Sequence, residues 1–301
     1  HRSGATGQVR LLIFVRMENF DKLFEKLVKD ALLEDIGTGD HSTLCCIPAT
    51  ESGTAVLKIK EDGVLAGMEA AERIFRYVEP DCVFRPFKRD GDAMRNGEIA
   101  FEVDARVQTI LQCERLVLNC MQRMSGIAGL TRQYTDQLKG FHTRVLDTRK
   151  TTPNFRLFEK WAVAIGGGVN HRFALYDMIM LKDNHIDYCG GITKAVEKAW
   201  NYVQEKAPGM LIEVETRSLE DVKELVSCGK GKVFRIMLDN FTPDRIREAL
   251  PLIGKDFETE ASGGINLTNL VDYAKTGVDF VSVGALIHQA RSVDLSLKAV
   301  K

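Results

Sequence analysis

Between 19 and 33 the apolar positions are Phe20, Leu23, Phe24, Leu27, Val28, Ala31 and Leu32. Steps of three and four predict a helix with one buried face. The turn-rich run Asp35-Ile36-Gly37-Thr38-Gly39-Asp40 ends it. A strand is predicted over 54–59, a turn with a short strand over 63–67, and a helix over 69–77. The stretch 82–106 reads as short strands broken at Asp90-Gly91-Asp92 and Asn96-Gly97, and 113–127 as a long helix. Strands and helices thus come in runs in this half, an α+β pattern.

Beyond 127 the rhythm changes. Apolar segments at 144–147, 178–181, 211–215, 234–239, 257–262 and 279–284 alternate with helical spacers such as 219–226 and 267–274. Repeated strand–helix units predict a parallel sheet, and six in succession predict closure toward a barrel. We divide the chain into a leader at 1–16, an N-terminal domain at 17–127 and a barrel at 128–285, with 286–301 packing back on the first domain. The opening HRSGATGQVRLLIFVR has no clear helix or strand period, so Met17 is read as the start.

Composition narrows the functional classes only mildly. The 301 residues carry a formal net charge of -1, which points neither to nucleic acid nor to an anionic membrane surface. No apolar run reaches the length of a membrane span. Seven cysteines with no CxxC pair and no Cys/His cluster read as reduced thiols in a cytoplasmic protein rather than a zinc site.

The ends of the predicted barrel strands carry the chemistry. Arg149 and Lys150 follow the first strand and Lys182 the second; Glu215 and Asp239 close the next two. Ser262-Gly263-Gly264 follows the fifth, and Val283-Gly284-Ala285 ends the sixth. Active sites of β/α barrels are built at that end, and glycines at the last two strands let backbone N–H groups approach a phosphate. Between 144 and 182, seven Lys and Arg stand against three Asp and Glu, with His171 in addition. Such a mouth suits a substrate with several negative charges. Arg156 and Lys160 fall on a helix begun by Thr152-Pro153, with Thr152 as cap, and need be no more than solvated surface. The glycines at 166–168 predict a loop close to a ligand or partner, leading into His171-Arg172 as ligand-facing residues. Glu215 and Asp239 are hard oxygen donors suited to Mg²⁺. Glu213 competes with Glu215, since it lies two residues earlier on the same face, deeper in the barrel.

Taken in order, Glu114-Arg115 with Asn119, then Thr148-Arg149-Lys150-Thr151-Thr152-Pro153, Gly166-Gly167-Gly168 with Asn170-His171-Arg172, Leu181-Lys182-Asp183-Asn184-His185, Glu213-Val214-Glu215, Met237-Leu238-Asp239-Asn240 and Ser262-Gly263-Gly264 resemble the quinolinate phosphoribosyltransferases. The resemblance runs from about residue 30 to the C-terminus. It implies an α/β sandwich followed by an open, incomplete β/α barrel, and a homodimer whose sites are shared between chains. It implies that Arg149, His171, Arg172 and Lys182 hold the quinolinate carboxylates, with Arg115 reaching in from the neighbouring subunit. Thr148, Lys150, Glu215 and Asp239, with Mg²⁺, would hold phosphoribosyl pyrophosphate. Ser262, Gly263, Gly264, Val283, Gly284, Ala285 and His288 would cradle its 5-phosphate. The resemblance implies that Lys150, Glu215 and Asp239 form the catalytic set. One departure is the insert Gly229-Lys230-Gly231-Lys232, expected in a surface loop at the far end of the barrel. Two rival readings remain: transfer to another aromatic acid such as nicotinate, which needs fewer cations, and a phosphate-binding scaffold without activity. Acids beside a phosphate site weaken the scaffold reading unless a metal bridges them.

Overall fold

The computed structural model describes residues 19–300; the leader and the start at Met17 lie outside them. In chain order the first elements are α1 (Phe20–Ile36), α2 (His41–Cys46), β1 (Ser52–Ile59), β2 (Gly63–Val64), α3 (Met68–Val78), β3 (Val83–Pro86), β4 (Ala93–Met94), β5 (Ile99–Arg106) and α4 (Val107–Gln137). Then come β6 (Arg144–Leu146), α5 (Arg156–Ile165), β7 (Ile179–Leu181), α6 (Asp183–Cys189), α7 (Ile192–Lys206), β8 (Ile212–Thr216), α8 (Leu219–Gly229), β9 (Arg235–Asp239) and α9 (Pro243–Ile253). The last are β10 (Glu258–Ser262), α10 (Leu270–Ala274), β11 (Phe280–Ser282), α11 (Ala285–His288) and β12 (Leu295–Val300).

The first half builds an antiparallel sheet in the order β12-β1-β5-β3, with β2 and β4 paired beside it. The chain's last strand therefore lies against its first, Leu57 opposite Leu297. Alternation along β5 sends Phe101, Val103 and Ala105 into the core, where Phe101 meets Phe75 of α3 and Phe84 of β3.

α4 is much longer than the helix expected at 113–127: its 31 residues run on through the boundary set at 127. Its buried positions, from Thr109 to Tyr134, wrap around more than one face, because α3 and the first sheet cover one side and α5 another. Aromatic contacts tie α1 to α5, with Phe24 edge-on to Phe158 and Phe20 edge-on to Trp161.

The second half forms the parallel sheet, in the order β6-β11-β10-β9-β8-β7. All six strands expected from the apolar rhythm are present, and every neighbouring pair is parallel. β6 and β7 occupy opposite edges, so the barrel stays open between them. Val169 extends the β6 edge by one bridge, donating to Val145 O and accepting from Asp147 N–H. The insert at 229–232 precedes β9, at the end of the barrel away from the strand C-termini. Among the described residues no helix is long and apolar enough to cross a membrane.

Candidate active site

A cavity of about 750 Å³ opens over the C-terminal ends of the parallel strands. The register explains what gathers there. In β8 the residues Glu213 and Glu215 share a face; so do Met237 and Asp239 in β9, and Glu260 and Ser262 in β10. Glu213 lies beside Arg235, Glu215 beside Met237, and Asp239 beside Ser262. The barrel interior is thus layered: a floor around Glu213, Arg235 and Glu260, and a rim of Glu215, Asp239, Ser262 and the strand-end lysines.

Lining this cavity are Thr148, Arg149 and Lys150 after β6, His171 and Arg172 before β7, Lys182 after it, and Glu215 and Asp239. Ser262, Gly263 and Gly264 after β10 join Val283, Gly284, Ala285 and His288 after β11 on the remaining wall. Arg115 does not line it; the residue is exposed on α4, on the same face as Asn119. Met180, Met237, Asn240, Asn266 and Glu260 also line the cavity and were not anticipated.

Glycine geometry shapes the wall formed after β10 and β11. Gly263 has φ +105°, and a Cβ there would lie 2.2 Å from Asn240 Oδ1, so no other residue fits without moving the β9 loop. A Cβ on Gly284 would lie 2.9 Å from Lys150 Cδ, so this glycine leaves room for the lysine to cross the cavity.

The rim is electrostatically unfinished. Burial raises the pKa of the Glu215 carboxyl, and Asp239 and Asp183 push it further up, with Lys182 partly offsetting them. Burial likewise raises Asp239, and Asp183 adds to it, against the Asn240 hydrogen bond and the attraction of Lys182 and Lys150. Among the described residues, Arg149, Lys150, Lys182, Glu215 and Asp239 make no ion pair within the chain. Arg172 is buried and donates from Nη1 to Met178 O at 3.0 Å. Burial and then Arg149 hold its pKa below the usual arginine value, a state that an incoming anion relieves.

The floor keeps its charges close to partners within the chain. Glu213 and Glu260 are fully buried and share His171 Nε2 at 3.1 Å each, with Arg235 Nη1 at 3.5 and 3.4 Å. Glu213 is committed to this buried cluster, whereas Glu215 faces the cavity; of the two glutamates, only Glu215 is free for a ligand. His171, Glu213 and Glu260 could also be read as a metal triad. That reading meets two obstacles: Arg235 already lies against both carboxylates in the place of a cation, and Nδ1 accepts from the Arg172 N–H at 2.7 Å, so Nε2 is the nitrogen that keeps its proton.

Three expectations are corrected. α5 begins at Arg156 rather than at Thr152-Pro153, and Thr152 does not cap it; the Thr152 N–H and hydroxyl donate to Glu159 instead. Lys160 is not solvated surface. It is wholly buried, paired with Asp147 and donating to His171 O, while Arg156 is half-buried and donates to Phe173 O. The glycines at 166–168 meet α4 rather than a ligand: a Cβ on Gly166 would lie 2.6 Å from Ala128 O, and one on Gly168 2.9 Å from Thr131. Side chains there would force the two elements apart.

Comparison with known proteins gives a consistent picture. The model described as the N-terminal domain of quinolinate phosphoribosyl transferase matches residues 40–125, and that of its C-terminal domain matches 127–298. A chloroplastic nicotinate-nucleotide pyrophosphorylase [carboxylating] from Arabidopsis thaliana is 42% identical over 285 residues, covering 90% of this chain and 81% of that protein. A probable nicotinate-nucleotide pyrophosphorylase [carboxylating] from Bacillus subtilis is 41% identical, covering 91% of this chain and 92% of its own. The crystal structure of NadC from Streptococcus pyogenes superimposes with a TM-score of 0.85 at 39% identity, covering 95% of this chain and 99% of that one.

Proposed function

We infer the activity from one premise: the chain belongs to the quinolinate phosphoribosyltransferase family, whose two domains together take in 40–298. It transfers the phosphoribosyl group of phosphoribosyl pyrophosphate to quinolinate with decarboxylation, giving nicotinate mononucleotide, pyrophosphate and CO₂. The observation that carries this reading is the division of one cavity into two opposed halves. Arg149, Arg172 and Lys182 supply cations for a dicarboxylate, and the glycines after β10 and β11 supply a phosphate cradle. Glu215 and Asp239 stand on the rim of the same cavity.

We assign the roles as follows. Arg149, Arg172 and Lys182 grip the two carboxylates, with His171 beneath and Arg115 contributed by a second copy of the chain in a homodimer. Ser262, Gly263, Gly264, Val283, Gly284, Ala285 and His288 surround the 5-phosphate, and Thr148 and Lys150 reach the pyrophosphate. The donor set of Glu215 and Asp239 fits Mg²⁺: two hard carboxylates, half-buried, with pKa values raised by burial and by neighbouring acids. Glu215 and Asp239 would hold the ion, which would supply charge neutralisation at phosphate oxygens of the cosubstrate. Lys150 adds positive charge as pyrophosphate departs from the ribose carbon, which passes through a cation-like state. The clamp holds the pyridine nitrogen against the opposite face for attack. Alkylation makes the ring cationic, and the adjacent carboxylate leaves as CO₂ because the ring nitrogen stabilises the remaining carbanion. A reducing, cytoplasm-like compartment suits the seven free thiols.

Release of CO₂ from quinolinate labelled at the 2-carboxylate tests the reading. Release is expected only with phosphoribosyl pyrophosphate and Mg²⁺ together. Folded protein that releases none, yet ribosylates nicotinate, would move the assignment to a monocarboxylate.

A further inference from the structure

The loop that presents Arg172 to the cavity is fixed through its neighbour. His171 is buried, and all four of its polar handles are taken inside the protein. Its backbone N–H donates to Asp147 Oδ1 at 2.8 Å, and its carbonyl accepts from Lys160 Nζ at 3.0 Å. Its Nδ1 accepts from the Arg172 backbone N–H at 2.7 Å, and its Nε2 meets Glu260 Oε2 at 3.1 Å. The ring therefore bridges a β10 carboxylate to the main chain of Arg172. Rotating it would break a hydrogen bond at each end.

Glu260 and Glu213 are not equivalent in this arrangement. Glu260 Oε2 accepts a hydrogen bond from His171 and is approached by Arg235 Nη1 at 3.4 Å. Glu213 lies equally near the ring, but neither of its oxygens has a hydrogen-bond partner. Arg235 is in turn anchored by Glu258 and stacks over the Phe280 ring, so the base of the assembly is rigid.

We propose that Glu260 is a positioning residue for the dicarboxylate half of the cavity, orienting Arg172 through the His171 ring. The inference rests on the reading that Arg172 grips a carboxylate of quinolinate. Displacing a clamp by a fraction of an ångström weakens two-point recognition while leaving a phosphate cradle on other strands untouched. The signature is a split between the two substrates, which a loss of general stability would not produce.

The test measures KM for each substrate, and calorimetric binding of quinolinate, in the full-length protein and in Glu260→Met and Glu260→Gln. Methionine keeps the volume and removes the acceptor; glutamine keeps an oxygen at the same reach. Glu260→Met is expected to raise KM for quinolinate at least about tenfold, with KM for phosphoribosyl pyrophosphate within about twofold, and Glu260→Gln is expected to recover most of the loss. Should Glu260→Met not fold, Glu260→Asp takes its place: it keeps the charge, withdraws the acceptor by one methylene, and should give the same split. Parallel rises in both KM values, or no change in either, would overturn the proposal. Absence of quinolinate binding by the unaltered protein would instead overturn the functional reading, which separates the two failures.

Discussion

Charged side chains on the floor of the barrel and on its rim are only a residue or two apart in sequence, yet they are treated differently. On the floor, Asp147 pairs with Lys160, and Glu213 and Glu260 surround His171 and Arg235, all of them buried. On the rim, Arg149, Lys150, Lys182, Glu215 and Asp239 keep company without pairing, and the acids are held at raised pKa values. Charges that satisfy one another set geometry; charges left unsatisfied wait for something from outside. Variants of floor and rim should therefore fail in different assays.

The sharpest contrast comes from Lys160→Met, which strands Asp147 without its cation. Breaking a wholly buried pair costs about 3–5 kcal/mol, so denaturant melts should show a large loss of stability and low soluble yield. A melt close to that of the unaltered chain would mean the floor is not structural in this sense. Lys150→Ala should do the reverse: an unchanged melt, with kcat lowered roughly 10²–10³-fold through loss of charge opposite the leaving group. Arg172→Lys keeps the charge and loses the fork, and kcat/KM for quinolinate should fall about ten- to a hundredfold; near-normal turnover would remove Arg172 from the clamp. In Gly263→Ala the new Cβ meets Asn240 Oδ1, and KM for phosphoribosyl pyrophosphate should rise by roughly tenfold while quinolinate binding holds.

The smallest effect is the most diagnostic in sign. Glu215 and Asp239 have folded-state pKa values above their unfolded ones, so their ionisation opposes folding. The stability their protonated forms contribute is complete below the unfolded pKa and is lost as pH rises through the folded value. Glu215→Gln or Asp239→Asn should thus raise Tm by about 1–2 °C at neutral pH, with the gain vanishing near pH 4, even as activity is lost. Mg²⁺ with phosphoribosyl pyrophosphate should raise Tm of the unaltered protein more than that of either variant. A fall in Tm on either substitution would show that the rim acids are already satisfied.

Most of the rim could be read from the chain, because period-two alternation and the rule that barrels work at their strand C-termini need no long-range information. The six parallel strands followed from the same rhythm. What escaped were features decided by partners far away in sequence. Lys160 looked like helix surface because nothing near it announces Asp147, which is buried against it. The glycines at 166–168 looked ligand-facing because the helix they touch, α4, lies some thirty residues earlier. Glu260 was legible in principle: it stands two positions before Ser262, as Glu213 does before Glu215, and the alternation argument used for one applied to the other. α4 outran its expected bounds because its buried positions change face along its length, which blurs any single apolar stripe.

That helix has a consequence for how the chain can be divided. The two family domains meet at 125 and 127, in the middle of α4, whose residues run unbroken from Val107 to Gln137. A gene cut at that junction would leave about two-thirds of the helix on one fragment and a third on the other, each with a raw apolar surface where the rest had been. The two domains are thus recognisable separately but are not inheritable separately. Shuffling, fusion or split-protein complementation has to respect the whole of α4, and breakpoints belong before Val107 or after Gln137, where an exchanged segment carries its own spine.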